Sequence, residues 1–160
     1  MNRIGDNLFC TGANEELIRA LTSNAAEFIV IGGLAVAWHC PNRQADDMDL
    51  LVNPTLDNSD RICCALDKLN LSGYSSTSFA KPGLQVPLKQ IHYAELLTPR
   101  EGDPSYSEVA ADAVEAKLFN IPVRVASVAS LIRQKERAVF SGESGKDKHL
   151  RDIQLLKTGK

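Results

Sequence analysis

The sequence predicts one α+β domain over residues 1–160, built from a small, twisted, mixed β-sheet that is flanked by helices. Three observations support this fold class. The length of 160 residues is enough for one compact core. Short apolar runs bounded by turn residues alternate with amphipathic stretches over about 28–125. Helical periodicity then dominates over about 126–158, which predicts a helical C-terminal part.

The first predicted elements are a helix, a strand and a second helix. Residues 14–21 have helical periodicity, and Asn14 is a residue type that caps helices. The apolar run 28–31 is typical of a buried strand, and two glycines end it. A short helix over 34–39 is expected to follow and to stop before a proline.

The rest of the chain alternates strands, turns and helices. The predicted elements are a strand over 47–52, a helix that starts at about 56 or 59 and ends at 69, strands over 74–79 and 88–97, a loop over 100–106, a strand pair over 114–119 and 123–125, and helices over 127–140 and 146–157. Ser127 is expected to cap the first of the two C-terminal helices.

Composition limits the class of protein. Hydrophobic residues make up 44% and charged residues 24%, which is typical of a globular chain. No stretch approaches the roughly 18 apolar residues of a membrane span, and residues 1–12 lack the apolar core of a signal peptide. We therefore expect a cytoplasmic protein with no membrane partner. The net charge of −2 gives no general attraction to nucleic acid, and the oligomeric state is not readable.

Cysteine and histidine spacing predicts no zinc site. The cysteines form no C-x-x-C pair, so we expect reduced, buried thiols at Cys10, Cys40, Cys63 and Cys64. The histidines have no ligand-like spacing either; they are His39, His92 and His149.

Two glycines follow the first predicted strand. Glycine lets backbone N–H groups approach an anion closely, and the N-terminus of the following helix favours negative charge. Gly32 and Gly33 can therefore form a phosphate-binding turn. A purely structural turn is the alternative.

Two acidic residues alternate with apolar ones in the next strand. Side chains of a strand point to opposite faces in turn, so Asp47 and Asp49 are expected on one face, about 7 Å apart along the strand. Adjacent carboxylates are costly unless a cation lies between them, and Mg²⁺ prefers such oxygen ligands. The alternative is an exposed edge strand with solvated acids.

A third acid lies in a later apolar strand. If this strand is the neighbour of 47–52, Glu95 completes a three-carboxylate site and can accept a proton from an attacking hydroxyl or share a metal. The alternative is an ordinary acid near a strand end.

The glycines and acids together resemble the nucleotidyltransferase superfamily, which shares the DNA polymerase β-like fold. In that family an apolar residue and Gly-Gly or Gly-Ser precede an Asp-apolar-Asp motif by about nine to thirteen residues. Here Ile31-Gly32-Gly33 precedes Asp47-Met48-Asp49-Leu50, with thirteen residues between them. The C-terminal part is similar to the abortive-infection toxin-type branch and to the short aminoglycoside and lincosamide nucleotidyltransferases; the residues that carry this likeness are Ile121-Pro122-Val123-Arg124-Val125, Leu131, Lys135, Lys146-Asp147 and Asp152-Ile153. The motifs Gly-Gly-x-Ala-Val at 32–36 and Asp-Asp-x-Asp-Leu at 46–50 also resemble the aminoglycoside and lincosamide group.

The resemblance implies a role for each candidate. Mg²⁺ would be held by Asp47, Asp49 and Glu95, which would also be the catalytic residues, and Gly32 and Gly33 would hold the triphosphate.

Two cations are further candidates for nucleotide binding. Lys135 falls on the apolar face of its helix, where an inward lysine needs a partner such as Asp147. A structural ion pair is the alternative to a triphosphate contact. Arg43 either contacts the triphosphate or is plain surface.

The expected reaction is Mg²⁺-dependent transfer of a nucleotide from a nucleoside triphosphate such as ATP to a hydroxyl. The acceptor can be a small molecule such as an antibiotic, an RNA end or a protein. The alternative is a non-catalytic member of the same fold that acts as a binding module or toxin–antitoxin partner. An RNA-binding module is disfavoured, because aromatic residues make up only 6% of the chain.

Overall fold

The fold is given by a computed structural model that describes residues 11–88, 92–142 and 144–159. These residues form six helices and six strands. In chain order they are α1 (Thr11–Ser23), β1 (Phe28–Ile31), α2 (Gly32–His39), β2 (Met48–Val52), α3 (Leu56–Lys68), β3 (Gln85–Pro87), β4 (Ala94–Leu97), α4 (Tyr106–Ala111), β5 (Val114–Leu118), β6 (Ile121–Val125), α5 (Val128–Phe140) and α6 (Lys146–Thr158).

The strands form one mixed sheet in the order β3-β4-β2-β1-β6-β5. β2 runs parallel to β4 and antiparallel to β1, and β1 runs parallel to β6. The predicted α+β class, a mixed sheet flanked by helices, is confirmed. Because β2 lies between β4 and β1, the alternative that this strand is an exposed edge strand is wrong.

The two faces of the central strands differ. Strand alternation and the β2–β4 register put four side chains on one face: Asp49, Leu51, Glu95 and Leu97. The opposite face is wholly buried and consists of Met48, Leu50, Ala94 and Leu96. One face of the sheet is therefore committed to the core, whereas the other carries the acids.

Helices α5 and α6 pack on each other near the acidic face, and α1 packs on α3. α5 begins where expected, because Ser130 N donates to the side chain of Ser127 over 3.0 Å. Its buried face includes Leu131, Lys135 and Ala138. Lys135 is thus directed inward, as the helical period predicted.

The expected strand over 74–79 is wrong. Ser75, Thr77 and Ser78 form hydrogen bonds with one another and with the local backbone, which favours a turn over a strand. A short 3₁₀ turn follows at Ser78–Ala80, and Phe79 is buried there.

Three other boundaries differ from expectation. The predicted strand over 88–97 begins only at Ala94, after a separate short strand β3. α1 begins before Asn14, so this residue lies inside the helix and is buried instead of capping it. The loop expected over 100–106 ends earlier, because Ser105 and Glu108 form a capping box that starts α4.

Three cysteines lie in the described ranges, and all are free thiols. Cys40 and Cys63 are buried as expected, whereas Cys64 is exposed on α3, which corrects that expectation. Cys10 lies outside the described residues. None of the helices described is long and apolar enough to cross a membrane.

Candidate active site

The turn from β1 into α2 brings a glycine against an acid. Gly32 has φ +68°, a conformation that glycine adopts without strain. A Cβ atom at this position would collide with Asp49 Oδ2 and would lie 3.0 Å from Asp49 Cβ. The motif therefore has a direct steric basis, because the first glycine leaves the space in which the second acid of the motif lies.

The second glycine leaves space for a cation. A Cβ atom at Gly33 would lie 2.9 Å from Arg43 Nη2. The guanidinium therefore packs over the N-terminal turn of α2, where helix N–H groups and the dipole favour a negative charge. A positive group at this end of a helix is unfavourable unless an anion is close by.

A carboxylate supplies that anion. Arg43 donates from Nε to Asp152 Oδ1 over 2.8 Å and from Nη2 to Oδ2 over 3.2 Å. Lys135 Nζ lies 3.0 Å from Asp152 Oδ2. We call Arg43, Asp152 and Lys135 the inner triad; their side chains are 15%, 2% and 8% exposed.

The inner triad corrects two expectations. Lys135 is paired with Asp152, five residues beyond the suggested Asp147, which is exposed. Arg43 is not plain surface, because its side chain is largely buried and paired. Burial by itself would raise the pKa of Asp152, but the hydrogen bonds from Arg43 and the charge of Lys135 outweigh it and lower the pKa below its ordinary value.

The three candidate acids occupy different positions. Asp49 and Glu95 are register partners on neighbouring parallel strands, so their side chains leave the same face at the same level. Asp47 lies one residue before β2 and is half-buried, so the alternation of a strand does not fix its direction. Across the described ranges, no three His, Cys, Asp or Glu side chains form a ready metal-binding group.

A cleft of about 180 Å³ opens beside Asp49. Gly32 and Asp49 form one end of the cleft. Lys135 from α5 and His149 from α6 also line the cleft. The floor is apolar and includes Leu51 and other aliphatic side chains. The cleft therefore combines the glycine turn, one candidate acid and one candidate cation, whereas Asp47 and Glu95 do not line it.

The far rim of the cleft is the turn over residues 99–104, which sequence reasoning did not single out. Asp103 accepts hydrogen bonds from Arg100 Nε over 3.0 Å and from Arg137 Nε, on α5, over 3.2 Å. We call these three residues the outer triad. Their side chains are 44% exposed for Arg100, 20% for Asp103 and 45% for Arg137. The prolines and glycine of this turn were a usable signal for a defined turn, but not for its contact with α5.

Comparison with known proteins supports the fold. No protein-family model matches the chain, and no curated protein matches it. Among solved structures, the chain is similar to an antigenic nucleotidyltransferase-like protein from Paracoccidioides brasiliensis, with a TM-score of 0.57 and 17% sequence identity. The match covers 90% of this chain and 74% of that one. At this identity the likeness concerns the fold, and it does not distinguish the toxin-type branch from the antibiotic-type branch. The chain has a nucleotidyltransferase-like fold.

Proposed function

We propose that this protein is a Mg²⁺-dependent nucleotidyltransferase. It would transfer a nucleoside monophosphate from a nucleoside triphosphate to a hydroxyl acceptor and release pyrophosphate. The observation that carries the proposal is the contact between Gly32 and Asp49 in a cleft that also contains Lys135. It joins both halves of the sequence motif on a nucleotidyltransferase-like fold.

The acids fit a magnesium ion that arrives with its nucleotide. Mg²⁺ commonly binds through one or two carboxylates together with substrate phosphates, so it does not need a complete protein cage. Asp49 and Glu95, which share one level of the sheet, and the adjacent Asp47 would hold it. When bound, the ion would offset negative charge on the triphosphate and on the leaving pyrophosphate.

The protein side chains would supply binding, orientation and proton transfer. Glu95 is the group we assign to accept the proton of the acceptor hydroxyl. Gly32 and Gly33 would present backbone N–H groups to the phosphates, and Lys135 and Arg43 would add positive charge. Most of the rate enhancement in such reactions comes from positioning and electrostatic stabilisation.

The first test is nucleotide binding, measured as thermal stabilisation by each of the four nucleoside triphosphates with and without Mg²⁺. A ligand present at about 100 times its Kd stabilises the folded state by about 2.7 kcal/mol. For a domain of this size that corresponds to a rise in Tm of several degrees. We expect this rise with Mg²⁺ and its loss in Asp49→Asn.

Asp46→Asn is the matched control, because Asp46 is an exposed neighbour outside the proposed site. It should keep the Mg²⁺-dependent rise. The absence of any rise in the wild-type protein with all four triphosphates would overturn the proposal. Pyrophosphate release in the presence of candidate acceptors, either an antibiotic, an RNA end or a protein, then distinguishes the acceptor classes.

A second candidate function is a non-catalytic binding module or a toxin–antitoxin partner with the same fold. Two observations favour it: the guanidinium of Arg43 occupies the space beside Gly33, and the described acids do not form a three-membered metal group. Such a protein would keep the fold and release no pyrophosphate. The absence of pyrophosphate release with every acceptor class, whether or not a triphosphate binds, would support this candidate.

A further inference from the structure

The cleft has two chemically different ends. At one end the Asp49 carboxylate, Gly32 and Lys135 are brought together. At the other end the rim turn contributes Arg100 and Asp103. Because β2 and β4 run parallel, the chain passes from the level of Asp49 towards the rim in both strands.

The middle of the cleft is apolar. Leu51 and Leu97 are register partners on the face that carries the acids, about 7 Å beyond the level of Asp49. Leu131 and Ala138 of α5 face the same space. An apolar slot of this kind suits a flat group such as a nucleobase, and it offers no charged partner for phosphate.

The positions of Asp47 and Glu95 indicate whether the donor or the acceptor occupies the cleft. Glu95 lies level with Asp49, yet neither Glu95 nor Asp47 lines the cleft. If Glu95 accepts the proton of the acceptor hydroxyl, the acceptor approaches outside the cleft. The cleft then remains for the donor, with the triphosphate at the Asp49 end and the nucleoside extending towards the rim.

The rim turn is held from both sides. Asp103 N donates to Arg100 O over 3.0 Å, which closes the turn, and Gly83 N donates to Pro99 O over 3.0 Å. Thr98 is buried and bonds the adjacent segment through its hydroxyl, which accepts from Leu84 N over 2.8 Å.

The third attachment of the rim turn is to α5. Asp103 receives the hydrogen bond from Arg137, and the guanidinium of Arg137 packs against Gly102. Arg100 lines the cleft and donates to Asp103, and Asp103 also accepts from Arg137, which does not line the cleft itself.

We propose that the apolar slot binds the nucleobase of the donor and that Arg100 contacts the base, with Asp103 and Arg137 as its positioning residues. The inference rests on the proposed function. A guanidinium can donate only to acceptor atoms of a base edge, so its contact depends on which base is present. Arg100 would thus help to select the nucleoside triphosphate.

The experiment compares binding of the four Mg²⁺–nucleoside triphosphates with binding of Mg²⁺–tripolyphosphate, which has the phosphates but no nucleoside. We expect Arg100→Gln to weaken binding of the preferred triphosphate about 10- to 100-fold, since a hydrogen bond to a charged group is lost. Tripolyphosphate binding should change less than about twofold, within the ordinary variation of surface substitutions. Lys135→Gln should weaken the binding of both the preferred triphosphate and tripolyphosphate.

The positioning role is tested with the neighbours of Arg100. Arg137→Gln and Asp103→Asn should narrow the preference among the four triphosphates without changing tripolyphosphate binding, and Arg137→Lys should restore part of it. Arg133→Gln is the matched control, because Arg133 is an exposed arginine of α5 that does not line the cleft. It should leave every affinity unchanged.

Each other outcome has a definite meaning. Equal loss of triphosphate and tripolyphosphate binding in Arg100→Gln would make Arg100 a phosphate contact and overturn the inference. Unchanged affinities in that variant would also overturn it. A wild-type protein that binds none of these ligands would instead overturn the proposed function itself.

Discussion

Two groups with the same composition of charges lie on either side of the cleft. The inner triad and the outer triad each consist of one aspartate between two cations, and each uses one residue of α5. Lys135 belongs to the inner triad and Arg137 to the outer triad, only two positions apart. Two positions along a helix correspond to nearly opposite directions, so one cation is buried and the other is half-exposed.

Burial makes the two groups energetically different. The charges of the inner triad interact across protein with little water to screen them, and any one left without its partners would be costly. The charges of the outer triad are hydrated, and salt screens them. The inner triad also joins three segments, the loop after α2, α5 and α6. The same arrangement is therefore shielded from water inside the molecule and hydrated at the rim of the cleft.

The largest expected effect is on stability when the inner carboxylate is removed. Asp152→Ala leaves Arg43 and Lys135 buried without their shared anion, which should cost about 3–5 kcal/mol in the free energy of unfolding. Urea unfolding followed by circular dichroism measures it. The matched variant Asp103→Ala in the outer triad should cost no more than about 1 kcal/mol. Equal losses in the two variants would remove the distinction between the triads.

The second prediction concerns the stability of the protein at acidic pH. The pKa of Asp152 is lower in the folded protein than in the unfolded chain, so its contribution to stability is present above the unfolded pKa of about 3.9. This contribution is lost as the pH falls through the lower, folded value. The stability advantage of the wild-type protein over Asp152→Asn should therefore be constant at pH 5–7 and shrink below about pH 4. Urea midpoints measured across this range test it, and an advantage that disappears already at pH 5 or above contradicts it.

The contrast between the triads also explains what sequence could predict. The β1–α2 glycines and Asp49 were found because short segments encode them: a buried strand, its glycine end and an alternating acidic strand. The pairing of β2 with β4 was expected only conditionally, and the structure confirms it. These features depend on local pattern, which a sequence displays directly.

The triads were not predictable in the same way. Arg43 and Asp152 are 109 residues apart, and nothing near either residue indicates the other. Helical periodicity correctly directed Lys135 inward, but the suggested partner Asp147 was wrong, because the rotation of α6 against α5 brings Asp152 to the lysine instead. The expected strand over 74–79 failed for a different, local reason. Hydrogen bonds of three neighbouring hydroxyl side chains stabilise a turn at the place where the alternating pattern predicted a strand.

The third prediction sharpens the description of the inner triad. Gly33→Ala places a methyl group 2.9 Å from Arg43 Nη2, and the guanidinium cannot move away without weakening its bonds to Asp152. We expect a loss of about 1–2 kcal/mol in the free energy of unfolding, similar to moderate overpacking. The double variant Gly33→Ala/Arg43→Ala should show clear coupling, because removal of the arginine removes the clash. Additive losses in urea unfolding would mean that Arg43 can relax freely.

The smallest expected effect is the loss of stability in the outer triad, which should depend on salt, whereas the loss in the inner triad should not. Asp103→Asn should lower the free energy of unfolding by less than about 1 kcal/mol at low ionic strength. At about 1 M salt the Debye length is only about 3 Å, so most of this small loss should disappear. The loss caused by Asp152→Asn should persist, because its partners are buried and water and ions do not reach between them. The free energy of unfolding of both variants is measured at low and at high salt. A salt-dependent loss in the inner triad would mean that it is hydrated after all, and its three residues would then behave as a second surface cluster.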